Sequence, residues 1–514
     1  MAESRVKKSL LNAKVNLIFY VLTLALSFFS RKIFLDCLGA DFVGLTGTLQ
    51  NLLGFLNLAE LGIGSAIGYV LYKPLFEENH QQINEIISVF AYLYRWIGWI
   101  ILILGSILAC FLPLIFPNTG FEPGVIYATY SAFLASSLIG YFINYKQTLL
   151  GADQKNYIIT GCFQSTNIIK VLIQMASAWY TRSYYLWVAI ELIFGVIYSF
   201  ILNWKISQVY PWLKTEKTLK SKQTDSGKRI IKYTRQLFIH KMAGFVQFQS
   251  RPLLIYAFTS LSTVASYQNY TIIIDKISGF INSILGSTNA SIGNLIAEGN
   301  KQNIKHVYWE LFSIRMLIAG VTCSSLYYLT EPFIQLWVGN QYILNKNILL
   351  LTILYSFFSY TRNVNDDFIY GYGLFWDTWS PVSEIIINLS VSIIGGMIWG
   401  LEGVLLGGII STFIVIGGWK SYLLYHWGFK ESVSEYWIKY NKFVILIIIP
   451  IPIINIFINH ILITPASINF KSWILHALTI STIYTIISYT LFYIFLPETK
   501  RFTKRLVIHL KTKK

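Results

Sequence analysis

Apolar residues along this chain come in long blocks separated by short polar breaks. The blocks fall at 12–38, 43–72, 85–115, 124–149, 157–181, 184–209, 234–259, 264–296, 306–330, 343–370, 379–400, 402–427, 437–460 and 472–496. Each spans roughly 20 residues or more, the length an α-helix needs to cross the hydrocarbon core of a bilayer. The blocks do not alternate apolar with polar residues, as the strands of an outer-membrane barrel would. The pattern predicts an all-α polytopic membrane protein with about fourteen transmembrane helices.

Polar breaks divide the chain. The stretch 210–233 is the only long polar segment before the tail, and it follows six blocks. The expected organisation is an N-terminal lobe at 1–209, a basic cytoplasmic linker at 210–233, a C-terminal lobe of six helices at 234–430, and an extra helix pair with a basic tail at 431–514. Arg31 and Arg251 are 220 residues apart, as are Arg95 and Arg315, and Gly151 and Gly371; Pro113 and Pro332 differ by 219. These offsets predict a parallel repeat of the two lobes about a pseudo-twofold axis along the membrane normal, with a cavity between them.

Composition agrees with a membrane protein. Residues are 54% hydrophobic and 13% charged, about half the charged share of a soluble chain. The formal net charge of +17 would suggest nucleic acid in a soluble protein. Here the basic residues collect in alternate loops: Arg5, Lys7 and Lys8, Lys73, Lys155, Lys301 and Lys305, Lys430 and Lys439, the 210–235 stretch, and the tail from Lys500. Arg182 and Lys471 are exceptions on the other side. The positive-inside rule therefore predicts cytoplasmic termini and no nucleic-acid partner. "MAESRVKKSLLNAK" lacks a small-x-small cleavage site beyond it and reads as the lead into a retained first span.

Charges inside the blocks are the candidate chemistry. "SFFSRKIFLD" (27–36) places Arg31 and Lys32 within the first block, where a cation at the membrane centre costs about 2.5–3.5 kcal/mol on insertion scales. Snorkelling to the headgroups is one reading; lining a polar cavity is preferred, because Arg251 repeats the position. Arg31, Lys32, Arg251, Arg315 and Arg95 are the candidate substrate-binding cations, although snorkelling or an ion pair serves equally for Arg95 and Arg315. Glu60, Asp275 and Asp366 are candidate coupling or ion-pair carboxylates. Asp275 is a candidate counter-charge for Arg251, Lys170 for Glu191, and Arg362 for Asp366 one helical turn away. The small-residue run "GSTNASIGNLIAEG" (286–299) suits close helix packing. The last two blocks, with "IIIPIPII", suit a lipid-facing position.

Neither H-E-x-x-H nor a phosphate-cradling G-x-x-x-x-G-K-[ST] occurs. Cys37, Cys110, Cys162 and Cys323 are scattered, without a C-x-x-C pair. The expectation is a transporter rather than an enzyme, with no cofactor or metal.

Several segments carry a family likeness: "SRKIFLDCLGADFVGLTGTLQNLLGFLNLAELGIGSAIGYVLYKPL" from residue 30, "INEIISVFAYLYRWIG", "GADQKNY" (151–157), "GLFWDTWSP" (373–381) and "GLEGVLLGGIIST" (400–412). With fourteen spans in a 6+6+2 order, the whole chain resembles the Wzx-type polysaccharide flippases. These belong to the multidrug/oligosaccharidyl-lipid/polysaccharide exporter (MOP) superfamily and are related to the lipid II flippase MurJ. The resemblance implies a V-shaped pair of lobes in the bacterial inner membrane. They would move a polyprenyl-diphosphate-linked oligosaccharide to the outer leaflet by alternating access, alongside polysaccharide assembly proteins. It assigns cavity cations to Arg31, Lys32 and Arg251, an acidic role to Glu60, and a lipid-tail groove to the last two spans. An H+ or Na+ gradient or the membrane potential would supply energy. The alternatives are a multidrug-type efflux antiporter, whose cationic drugs an arginine-lined cavity would repel, and a membrane polysaccharide polymerase or glycosyltransferase. A non-transporting scaffold would leave the repeated cations unexplained.

Overall fold

The computed structural model describes residues 5–60, 70–71, 74–117, 119–215, 242, 245–246, 248–285, 292, 295–296, 298–374, 376–460 and 469–512. Among them the chain is helical throughout and forms two compact units, Met1–Ala265 and Ser266–Lys514. The protein is an all-α polytopic membrane protein. Nine of the described helices are long and apolar enough to cross a bilayer.

In the first unit, α1 (Arg5–Leu38) turns into α2 (Ala40–Gly54) at Gly39, whose φ of 85° only glycine adopts without strain. A 3-10 turn, Phe55–Glu60, continues α2. Asn79 caps α3 (His80–Ile115) by accepting from the Gln82 amide, and Pro123 opens α4 (Pro123–Phe142) at the first position, where its missing N–H costs nothing. Short α5 (Gln147–Ala152), α6 (Asn156–Thr181) and α7 (Tyr184–Val209) complete the set, followed by a described helical stretch at 248–258. The core gathers around Phe42, which stacks on Tyr184 at 4.6 Å and meets Trp187 edge-on. Helix α2 lies against the 249–261 stretch with no room for side chains. A Cβ on Gly44 would overlap the Leu261 carbonyl, and one on Gly54 would meet the Gln249 side chain.

"GADQKNY" forms a clamped turn. Gln154 takes a positive φ of 59°, Asn12 of α1 donates to the Gln154 carbonyl at 2.8 Å, and the Tyr157 amide donates back to Asn12. Lys155 pairs with Asp153, which also accepts from the buried Tyr210 hydroxyl at 2.8 Å.

The second unit contains α8 from Ser266 onward (the helix is Leu261–Leu285), α9 (Lys301–Trp337), α10 (Lys346–Gly371), α11 (Trp379–Trp399) and α12 (Leu401–Ser411). Beyond α12 the helix widens to π-helical Thr412–Lys420, passes through Ser421–Leu423, and widens again at Leu424–Phe429. Gly400 (φ 56°) makes the turn between α11 and α12, and Gly395 and Gly403 then touch backbone to backbone. Trp379 and Trp419 meet at 4.6 Å where the hairpin ends. Four more helices follow: α13 (Ser434–Ile448), α14 (Pro450–His460), α15 (Phe470–Phe495) and α16 (Pro497–Thr512). Pro450, which lacks an amide hydrogen, marks the division of the thirteenth apolar block into α13 and α14.

Trp309 and Phe312 of α9 pack on Tyr436 and Phe443 of α13, and Phe443 meets Phe492 of α15, which joins α13 and α15 to the unit. Their other faces expose Ile438, Ile445, Leu475 and Leu478.

Candidate functional site

The helices outside the nine most apolar ones carry much of the polar chemistry. Helix α6 holds Lys170 and Gln174, α8 holds Asp275 and Lys276, and α10 holds Arg362, Asp366 and Asp367. Polar side chains at membrane depth need partners or a water-filled cavity, so these helices define where the interior chemistry lies.

Arg31 sits on the last two turns of α1. One helical step, about 100°, separates it from Lys32: Arg31 is half-buried and Lys32 exposed. Nη2 of Arg31 donates to the Ala265 carbonyl at 2.7 Å. The same face carries Phe34, edge-on to Trp187, and the buried Leu35 and Leu38. Arg251 is half-buried beside buried Ser250, in the stretch that packs against α2. Arg95 is half-buried on α3, and its Nε donates to the carbonyl of Ala91, one turn back. Glu60 closes the 3-10 turn after α2; its side chain lies outside the described residues, as does most of the 286–299 strip.

Elsewhere in the first unit, Lys170 meets Glu191 at 2.8 Å, and Gln174 donates to the same carboxylate at 3.0 Å. The Asn57 side-chain carbonyl accepts from Tyr141 at 2.9 Å.

The second unit brings charges together more densely. Arg315 is buried on α9, and the carboxylate acting on it is Asp367 of α10. Asp275 is exposed and acts on Tyr360, whose hydroxyl shares a 2.7 Å hydrogen bond with Ser278. Asp366 belongs to a four-charge group from three helices. Its Oδ1 receives Lys420 at 3.0 Å, its Oδ2 lies 3.4 Å from Arg362 Nε, and Arg362 Nη1 lies 4.0 Å from Glu384 Oε1. Tyr308 donates to Asn365 at 2.7 Å and Asn365 to Ser421 at 2.9 Å, so a neutral chain of polar groups continues from the ion pairs. Beside Arg362 lies a cavity of about 20 Å³ lined by Thr361, Asn365, Thr412 and Tyr436, about enough for one water.

Sequence reasoning missed Asp367, Glu384 and Lys420. Each is a charge inside an apolar block, and scanning the blocks for such residues would have found them. Their partnerships cross between helices and have no spacing rule.

No family model matches the sequence, and no curated protein matches it. Solved structures do. The lipid II flippase MurJ in an inward closed conformation matches with a TM-score of 0.61 at 15% identity, over 93% of this chain and 98% of that one. An inward-facing multidrug resistance MATE family transporter of the MOP superfamily matches at 0.57 and 14%, over 79% and 97%. The Vibrio cholerae MATE transporter VcmN matches at 0.51 and 12%, over 84% and 99%. This chain shares their fold.

Proposed function

We propose that this chain is a Wzx-type flippase. It moves a polyprenyl-diphosphate-linked oligosaccharide from the cytoplasmic to the outer leaflet of the bacterial inner membrane for surface polysaccharide biosynthesis, with both termini in the cytoplasm. The observation that carries the reading is the 93% of the chain matched by a lipid II flippase. That coverage leaves too few residues unmatched to omit the whole of 431–514, where the extra helix pair is expected.

The physical argument is independent of the likeness. A diphosphate with attached sugars is too polar to enter hydrocarbon, and a guanidinium holds phosphate oxygens in a two-pronged geometry. Arg31, Arg251 and Lys32 would receive the diphosphate, with Arg95 and Arg315 as further cations, while the isoprenoid tail stays in lipid. Alternating access then carries the headgroup across. Glu60, Asp275 and Asp366 are the carboxylates through which an H+ or Na+ gradient would act.

Transbilayer movement of a polyprenyl-diphosphate oligosaccharide in proteoliposomes tests this. Arg31→Lys and Arg251→Lys are expected to keep much of the activity, and Arg31→Glu to abolish it. Full movement with both arginines replaced by glutamine would refute the cation assignment. The MATE matches support a second reading, drug efflux; movement of cationic dyes but of no lipid-linked sugar would establish it.

A further inference from the structure

At the end of the second unit where α13 begins and α15 stops, α16 is tied down by buried carboxylates. Glu310 of α9 receives Arg505 Nη2 at 3.1 Å and lies 3.7 Å from Arg501 Nε. Glu498, also buried, meets Lys439 of α13 at 3.2 Å. Ser313 and Thr499 share a buried hydrogen bond of 2.7 Å. Lifting α16 would leave Glu310 unpaired in the interior, so its orientation is fixed.

Two arginines share the single carboxylate of Glu310, while Lys305 and Lys439 face three, Glu431, Glu435 and Glu498, so the ion-paired groups balance. Lys442, Lys500 and Lys504 are exposed and, among the described residues, have no carboxylate within ion-pair distance. Lys442 donates instead to the carbonyl of Phe495, the last residue of α15, at 2.9 Å. The rim therefore carries three uncompensated positive charges.

It continues directly into an apolar face. Helix α15 exposes Ile486, Ile494 and Phe495 beside Tyr489 and Tyr493. The Lys500 ammonium stands 5.9 Å from the Tyr493 ring, and the Tyr489 hydroxyl bonds Thr503 at 3.0 Å. Cations at the end of a face of exposed aliphatic and aromatic residues are complementary to a molecule with an anionic head and apolar chains.

We propose that this rim is a binding site for anionic phospholipid, with the headgroup phosphate among Lys442, Lys500 and Lys504 and the acyl chains along α15. A free phosphate would use the lysines and leave the apolar face without a role; an acidic protein would do the same.

The test uses the full chain, purified from nanodiscs holding equal phosphatidylglycerol and phosphatidylcholine, with retained lipid counted by native mass spectrometry. The wild type is expected to retain phosphatidylglycerol preferentially. The K442Q/K500Q/K504Q variant is expected to lose that preference by roughly fivefold per cation removed, with monodisperse elution showing that it is folded. Lys214→Gln, an exposed lysine of the first unit, should change nothing. No preference in the wild type, or an undiminished one in the triple variant, overturns the proposal. Displacement of the lipid by inorganic phosphate would overturn the lipid assignment in favour of a free-anion site. The readout is bound lipid, so its failure leaves the flippase reading standing.

Discussion

Lys420 reaches Asp366 at 3.0 Å across 54 residues of sequence. Asp366 also faces Arg362, so one carboxylate holds two cations, and the second of these lies 4.0 Å from the buried Glu384. Removing one member of such a buried group leaves a charge uncompensated, which costs about 3–5 kcal/mol. Asp366→Asn is therefore expected to lower the unfolding midpoint sharply, and D366N/K420Q to recover part of the loss. A thermal-shift double-mutant cycle with a coupling energy near zero would show that the contact does not hold the helices together.

The α11–α12 hairpin predicts an intolerance to the smallest side chain. A Cβ at Gly403 would overlap the Gly395 backbone, and one at Gly407 would overlap Ser392. Gly403→Ala must separate the helices, with a cost of about 1–3 kcal/mol for overpacking. Gly161, inside α6 with open space around it, is the control: Gly161→Ala should leave the elution profile unchanged and raise the midpoint slightly, by the helix preference of alanine over glycine.

Glu310→Gln should free α16 without unfolding the unit, because the aromatic packing of α9 on α13 and α15 is untouched. Hydrogen exchange is expected to rise in α16 alone. Protection unchanged along α16 would mean that the Arg501 and Arg505 contacts are not what hold it.

Burial, and then the neighbouring Asp153 carboxylate, push the Tyr210 hydroxyl far above its usual value. A raised tyrosine pKa stabilises the protonated form. Its contribution is fully present below the ordinary value of about 10 and is lost as pH climbs from there toward the folded-state value. Tyr210→Phe should lower stability near neutral pH by about 0.5–1.5 kcal/mol and flatten the alkaline limb of a stability–pH curve. An alkaline limb identical to wild type would show that Tyr210 does not contribute to it.

Hydropathy alone made the membrane-spanning, all-helical character readable, and isolated charges marked several of the helices that carry ion pairs. The Arg362–Asp366 contact follows from i,i+4 spacing, and Lys170 opposite Glu191 follows from matched depth. Lys420 was not readable. It closes a π-helical stretch, Thr412–Lys420, where the wider turn rotates side chains away from the faces a 3.6-residue period assigns. Nor did any spacing point from Arg31 to the Ala265 carbonyl, because backbone acceptors are invisible to a pattern of side chains. Asp367 was hidden beside Asp366: adjacent residues on one helix face different neighbours, and only the fold shows that Arg315 belongs to the second.

The group formed by Arg362, Lys420, Asp366 and Glu384 has a further property. With both carboxylates ionised its charges sum to zero, as do those of Lys170 with Glu191 and Arg315 with Asp367. A charge carried through the membrane field exchanges about 2.3 kcal/mol per 100 mV; a neutral cluster carried through the same field exchanges none. A change in the depth of these groups thus needs no electrical work, and the resting potential neither drives nor resists it.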